Sequence, residues 1–173
     1  MTKGNAPIRT LTLLRHAKSS WKNPALDDIE RPLNKRGRRD ADAMAQRLVE
    51  HGATFTAVFA SPARRSRETL TRMLLALPAQ DAIVTFDQVF YTFDSDMLIA
   101  ALKKLDDDLQ DVAIVGHNPA LEDTIRWLTS DPVEKFPTAA GAQLTIALPH
   151  WKKLYAGCAK LMWLLTPEKS LTL

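Results

Sequence analysis

With 173 residues, 46% of them hydrophobic and 25% charged, the chain has the composition of an ordinary globular protein, long enough to bury a core as a single domain over 1–173. A formal net charge of +3 suits an acidic substrate but is too small to argue for nucleic acid, and no apolar run approaches the roughly 18 residues of a membrane span. The single cysteine, Cys158, excludes an internal disulfide, reads as a small core residue, and points to the cytoplasm.

Residues 1–7 carry no long apolar stretch, so they read as a flexible lead-in rather than a signal peptide. The apolar run 8–14 predicts a buried strand that ends abruptly in Arg15-His16. Residues 17–33 have no clear periodicity and form a long loop, of the kind that is often functional in a compact domain. Asn34 is placed to cap a helix running to about residue 51, with Gly52 as its stop and Ala41, Met44, Ala45 and Leu48 on one face. Strand 57–60 follows. Ser61-Pro62 then predicts a helix to about residue 76, with Ser61 as cap and Pro62 in the first position. Strand 82–86 precedes a helix opened by Asp94 or Ser95 and ending near 105. Strand 112–115 leads to Gly116-His117, where the glycine is expected to allow a sharp turn. Asn118-Pro119 repeats the cap-proline pattern and predicts a helix to about 129. Runs 143–148 and 161–166 read as strands closing the sheet.

Alternation of strands and helices predicts an α/β fold: a three-layer α/β/α sandwich with a mostly parallel central sheet. Parallel strands present their carboxyl ends on one edge, where ligands bind. Arg15 and His16 follow the first strand there, Arg65 lies early in the helix after the second, and His117 follows the fourth. Arginine suits phosphate or carboxylate; histidine suits nucleophilic or acid–base work near neutral pH. Arg64 and Arg67 read as a solvated face paired with Glu68, and His51 and His150 as structural. The run Asp106-Asp107-Asp108 reads as a solvated turn. No Cys, His or carboxylate spacing matches a recognised metal site, and no nucleotide loop or nucleophile elbow is present, so neither metal nor cofactor is expected.

Arg15-His16-Ala17, Ser61-Pro62-x-x-Arg65 and Gly116-His117-Asn118-Pro119, in that order, resemble the histidine phosphatase, or phosphoglycerate-mutase-like, superfamily. With Glu30-Arg31-Pro32-Leu33-Asn34-Lys35-Arg36-Gly37, the pattern is most similar to its SixA-type phosphohistidine phosphatase branch. The resemblance implies His16 as nucleophile, Arg15 and Arg65 as grips on the phosphoryl oxygens, and His117 as a hydrogen-bond donor to the same group. It also suggests Arg31 as a substrate-binding residue, against the alternative of one more charge at a solvated helix entry. The implied reaction is metal-independent removal of a phosphoryl group from a phosphohistidine-bearing protein. Rival readings are a phosphomonoesterase for a small phosphorylated substrate and a phosphate-recognition module without turnover. One departure bears on the choice: no glutamate occurs between Glu68 and Glu122, where many superfamily members supply a general acid. Asp87 and Tyr91 are the nearest substitutes.

Overall fold

The computed structural model describes residues 6–77, 81–133, 135–167 and 170–171; residues 1–5 of the expected lead-in lie outside this set. A seven-stranded sheet has the order β3-β2-β4-β1-β5-β6-β7. β1 (Ile8–Arg15), β2 (Ala57–Ala60), β3 (Ile83–Phe86) and β4 (Asp111–Gly116) are mutually parallel. β5 (Gly141–Ala147), β6 (Ala159–Leu165) and β7 (Ser170–Leu171) continue the sheet antiparallel to one another, with β5 antiparallel to β1. Four helices, α1 (Lys35–Glu50), α2 (Arg64–Ala76), α3 (Ser95–Leu102) and α4 (Ala120–Thr129), complete the α/β architecture.

Successive side chains of a strand face opposite ways, and the central strands use both faces. Leu11, Leu13, Val112 and Ile114 pack with Leu98 and Leu102 of α3 and Leu121, Ile125 and Leu128 of α4. Leu14, Ala113 and Val115 pack with Met44, Ala45 and Leu48 of α1 and Leu70 and Met73 of α2. Two helix layers therefore sandwich the sheet. Burial on both faces explains why β1 and β4 read as continuous apolar runs.

Several expected boundaries shift. Asn34 caps α1 as expected, its side chain accepting from the Gly37 N–H at 2.8 Å, and Gly52 takes a positive φ of 64° beyond the helix end. Ser61 does not cap α2. Ala63 is non-helical, with ψ of 137°, so the helix starts at Arg64. Asn118 does not cap α4: its amide donates to Glu122 and to the Phe136 carbonyl, each at 2.9 Å, while Pro119 holds the N-cap position. α3 stops at Leu102 because the chain tightens there; Lys104 and Leu105 donate three residues back rather than four. Gly116 ends β4 outside the positive-φ region, so the turn into His117 needs no glycine freedom. Cys158 is half-buried against the α3–α4 core, where burial pushes its thiol pKa up. The aspartate turn does more than face water. Asp107 accepts from the Trp151 N–H and pairs with His150, each at 2.8 Å, and its carbonyl accepts from the buried Arg9. No described helix is long and apolar enough to cross a membrane.

Candidate active site

The register of the parallel strands brings the carboxyl ends of β1, β2 and β4 level. Arg15 pairs with Gly116, and Ala60 with Val115. The residues that follow, His16, Ser61 and His117, therefore emerge on one edge. His16 is fixed at its backbone by Gly116 and Ala139. The next N–H, of Ala17, donates to Thr69 Oγ1 at 3.0 Å, and that hydroxyl donates to the Arg65 carbonyl at 2.7 Å. A threonine one turn along α2 thus ties the nucleophile candidate to the helix that carries Arg65.

His16, Arg65 and His117 meet in a buried cluster. They are 8%, 1% and 1% exposed, and the two imidazole centroids lie 5.0 Å apart. His16 Nδ1 lies 2.8 Å from the Ala17 carbonyl. A carbonyl can only accept, so Nδ1 carries the proton and Nε2 of the neutral ring presents a lone pair. Arg65 Nε donates to that Nε2 at 3.2 Å. Arg65 Nη2 lies 3.4 Å from His117 Nδ1, and His117 Nε2 lies 2.7 Å from Ser61 Oγ. A guanidinium has no acceptor, so His117 Nδ1 accepts here and Nε2–H faces the serine hydroxyl.

Electrostatics keep both rings neutral. Burial is the largest cause that lowers the His16 pKa to about 4; the Ala17 bond opposes it, and the charges of Arg65, Arg15 and Arg31 add to it. Burial likewise lowers His117 to about 3, helped by His16 and Arg65. A neutral imidazole whose lone pair is unprotonated is the form that attacks phosphorus.

Arg31 is 7% exposed, which removes the reading of a solvated charge at a helix entry. Its Nη1 donates to Ser19 Oγ at 2.7 Å, and its guanidinium carbon lies 3.5 Å from the ring centroid of Trp21. Arg15 ends β1 with Nη1 on the Phe136 carbonyl at 2.9 Å, and its buried Nε has no partner among the described residues. Burial lowers its pKa, opposed by Glu122. Its charge acts on both histidines, but no hydrogen bond joins it to them. Arg64 pairs with Glu68 at 2.8 Å on the exposed side of α2, and Arg67 lies over the Phe86 ring, as expected of a solvated face.

Three residues that the motifs did not single out as site groups belong to it. Ser61 holds His117. Ser19 holds Arg31. Asp28, in the loop after β1, places Oδ1 on Arg31 at 2.8 Å and Oδ2 on Arg65 at 2.8 Å. Tyr91 O–H also donates to Asp28 Oδ2, at 2.7 Å, and its ring lies edge-on to His117. Asp87 is elsewhere: its exposed carboxylate accepts from the Val89 N–H in a short turn. Of the two acid substitutes, only Tyr91 reaches the cluster. No group of three or more His, Cys, Asp or Glu among the described residues could hold a metal ion.

The sequence pattern of the Histidine phosphatase superfamily (branch 1) matches residues 11–85. An uncharacterised chloroplastic protein of Arabidopsis thaliana is 32% identical over 94% of this chain and 80% of its own length. The chain belongs to the histidine phosphatase superfamily. Among solved structures, this superfamily member is similar to a protein of Nakamurella multipartitia provisionally named as the phosphohistidine phosphatase SixA. That match has a TM-score of 0.81 and 28% identity, and covers 95% of this chain and 99% of the other. A second protein provisionally so named, from Agrobacterium tumefaciens, shares the fold with a TM-score of 0.76 and 24% identity over 92% and 98% of the two chains.

Proposed function

We propose that this histidine phosphatase removes the phosphoryl group of phosphohistidine on a signalling protein, in the cytoplasm and without a metal, through a phosphohistidine enzyme intermediate. The observation that carries the reading is the His16 tautomer. Its Nδ1 proton is held by the Ala17 carbonyl, and its Nε2 lone pair faces the Arg65 guanidinium. In the first step Nε2 forms a bond to phosphorus. The bond from phosphorus to the substrate nitrogen breaks, and its electron pair stays with the departing ring. A substrate ring already protonated on its other nitrogen leaves as neutral imidazole. His16 keeps its Nδ1 proton and becomes a phosphorylated imidazolium. In the second step a water oxygen bonds to phosphorus, the phosphorus–Nε2 bond breaks with its pair returning to His16, and a water proton passes to solvent. Phosphoryl transfer of this kind needs positioning and charge stabilisation above all, the work this reading gives to Arg15, Arg31, Arg65 and His117.

Leaving-group chemistry favours phosphohistidine over an alkyl ester. An alkoxide needs a proton in the transition state, and general acid catalysis is typically worth about 10²–10⁴-fold. Asp87 is spent on a turn, and the Tyr91 hydroxyl, its pKa raised by burial and by Asp28, directs its proton to Asp28 Oδ2. The Asp28 carboxylate is held ionised by Tyr91, Arg31 and Arg65 against the opposing effect of burial. The deciding experiment compares a phosphohistidine peptide, an aryl phosphate and an alkyl phosphate at one pH, with and without a chelator. Rapid, chelator-resistant release from the peptide, slow release from the alkyl ester, and no trapped phosphoenzyme in His16→Ala are expected. Equal turnover of the alkyl ester would give the small-molecule phosphomonoesterase reading instead. Binding without release would give the recognition module.

A further inference from the structure

The guanidiniums that face His16 are already occupied by a carboxylate. Asp28 Oδ1 accepts from Arg31 Nε at 3.0 Å and from its Nη2 at 2.8 Å. Oδ2 accepts from Arg65 Nη2 and from Tyr91 O–H. Arg65 is further engaged through Nη1 on the Asp28 carbonyl and Nε on the His16 lone pair. Two forks that could grip one tetrahedral anion instead grip one carboxylate. We propose that Asp28 is the resident counter-ion of the phosphoryl pocket: an incoming phosphoryl group displaces its carboxylate, and the carboxylate returns to expel phosphate. This rests on the reading of the site as a phosphoryl pocket.

Two observations separate displacement from a merely positioning role. First, Arg31 does not depend on Asp28 for its place. Ser19 holds its third nitrogen, and the guanidinium carbon lies over the Trp21 ring, 3.5 Å from its centroid. Arg65 is held by His16 and by the backbone carbonyl of Asp28, which can stay in place while the Asp28 carboxylate turns away. Second, burial is unequal within the cluster. The Asp28 side chain is 42% exposed, against 9% for Arg31 and 1% for Arg65. The arginines are fixed and the carboxylate can turn to water, where an ion is readily solvated. Cationic and neutral groups face Asp28 from each element around the pocket. Arg31 comes from its own loop, Arg65 from α2, Tyr91 from the segment after β3, and His117 from the end of β4.

Displacement makes Asp28 a specificity-determining residue. A dianion recovers both forks and gains charge over the carboxylate it replaces. A monoanion, such as a phosphodiester or another carboxylate, exchanges like for like and gains little. Terminal phosphoryl groups are therefore selected over phosphodiesters.

The test measures binding of inorganic phosphate and of orthovanadate to the full chain and to Asp28→Asn and Asp28→Glu, together with inhibition by phosphate. Removing one like charge beside the anion should tighten phosphate binding in Asp28→Asn by on the order of tenfold and deepen product inhibition equally. Asp28→Glu, which keeps the charge, should stay within a few-fold of the original chain. Thermal unfolding of each variant shows that it is folded. If the original chain binds phosphate and Asp28→Asn binds it no more tightly, or less tightly, the displacement proposal fails while the pocket reading stands. If neither binds phosphate or vanadate, both fail. If Asp28→Asn keeps its phosphate affinity but loses turnover of alkyl esters alone, Asp28 is an acid and not a counter-ion.

Discussion

The Ser61 hydroxyl can face His117 in two ways. It accepts from the Ala63 N–H at 3.2 Å and lies 2.7 Å from His117 Nε2, and its own proton is free to turn. While Arg65 donates to His117 Nδ1, the hydroxyl accepts from Nε2–H. In the proposed reaction a phosphoryl oxygen takes the place of that contact. The hydroxyl then donates to Nε2, and Nδ1–H becomes the donor to phosphate. A ring whose pKa is near 3 can thus donate without being charged. His117→Ala should slow phosphoenzyme formation by about 10²–10³-fold, the scale of one lost oxyanion-type donor. Ser61→Ala should slow it by roughly two- to tenfold, the scale of one net hydrogen bond. If Ser61 acts through His117, the double variant is no slower than His117→Ala, because the two act as one unit. Single-turnover labelling measures all three, and additive losses would detach Ser61 from His117. Sequence reveals these residues unequally. Arg15 and His16 stand out because an apolar strand ends on them. Ser61 reads as a helix cap because Ser-Pro is a cap pattern, and only the spatial approach of β2 to β4 shows its partner. Asp28 lies in an aperiodic loop 37 positions from Arg65, and no local spacing encodes that contact.

At the scale of elements, the loop after His16 is held as a closed ring against the start of α1. Ser19 bridges Leu33, Ser20 N–H donates to the Pro32 carbonyl at 2.8 Å, and Asn34 N–H donates to the Lys18 carbonyl at 3.0 Å. The Leu33 N–H donates to Glu68 of α2 at 2.8 Å. Asp28 and Arg31 ride on this ring. Gly37 sets how closely it can approach the helix. A Cβ there would lie 2.1 Å from the Lys18 carbonyl oxygen and 2.9 Å from the Lys18 backbone nitrogen. Replacing glycine by alanine inside a helix ordinarily stabilises by roughly 0.5–1 kcal/mol. Gly37→Ala should do the reverse, destabilising by about 1–3 kcal/mol as the overpacked backbone shifts, and activity should fall further than stability. Urea unfolding beside kcat/KM tests this. A stabilised, fully active variant would show that the ring tolerates displacement. The sequence announces α1 clearly, through Asn34 and a regular apolar face, and leaves the ring silent. Its geometry comes from backbone pairing between distant arms, which leaves no periodic trace.

Across the whole molecule, the burial that keeps the proposed nucleophile neutral also sets how the protein meets acid. His16 and His117 have pKa values near 4 and 3 in the folded state against an ordinary value of 6.5. From about pH 6.5 down to about 4 for His16, and to about 3 for His117, the unfolded chain therefore binds protons that the native state refuses, and stability falls as pH falls through that window. The contribution is complete above the ordinary value and shrinks on acidification. The Asp28 carboxyl acts in a lower window that overlaps only the end of the His117 one. Its pKa is depressed below the ordinary 3.8 because hydrogen bonds from Tyr91, Arg31 and Arg65 outweigh burial, so its contribution is lost only below that value. Urea midpoints should hold level above about pH 7, decline from there toward pH 4, and decline again at stronger acid. His16→Asn or His117→Asn removes one buried titrating ring and should flatten the first decline while leaving the second in place. Each variant should gain relative to the original chain as pH drops from about 6.5 to 4, even if it is less stable at neutral pH, because what it loses in packing does not titrate. A first decline of unchanged steepness in both variants would place the acid sensitivity outside the candidate site and break the link between the neutral histidines and the stability of the fold.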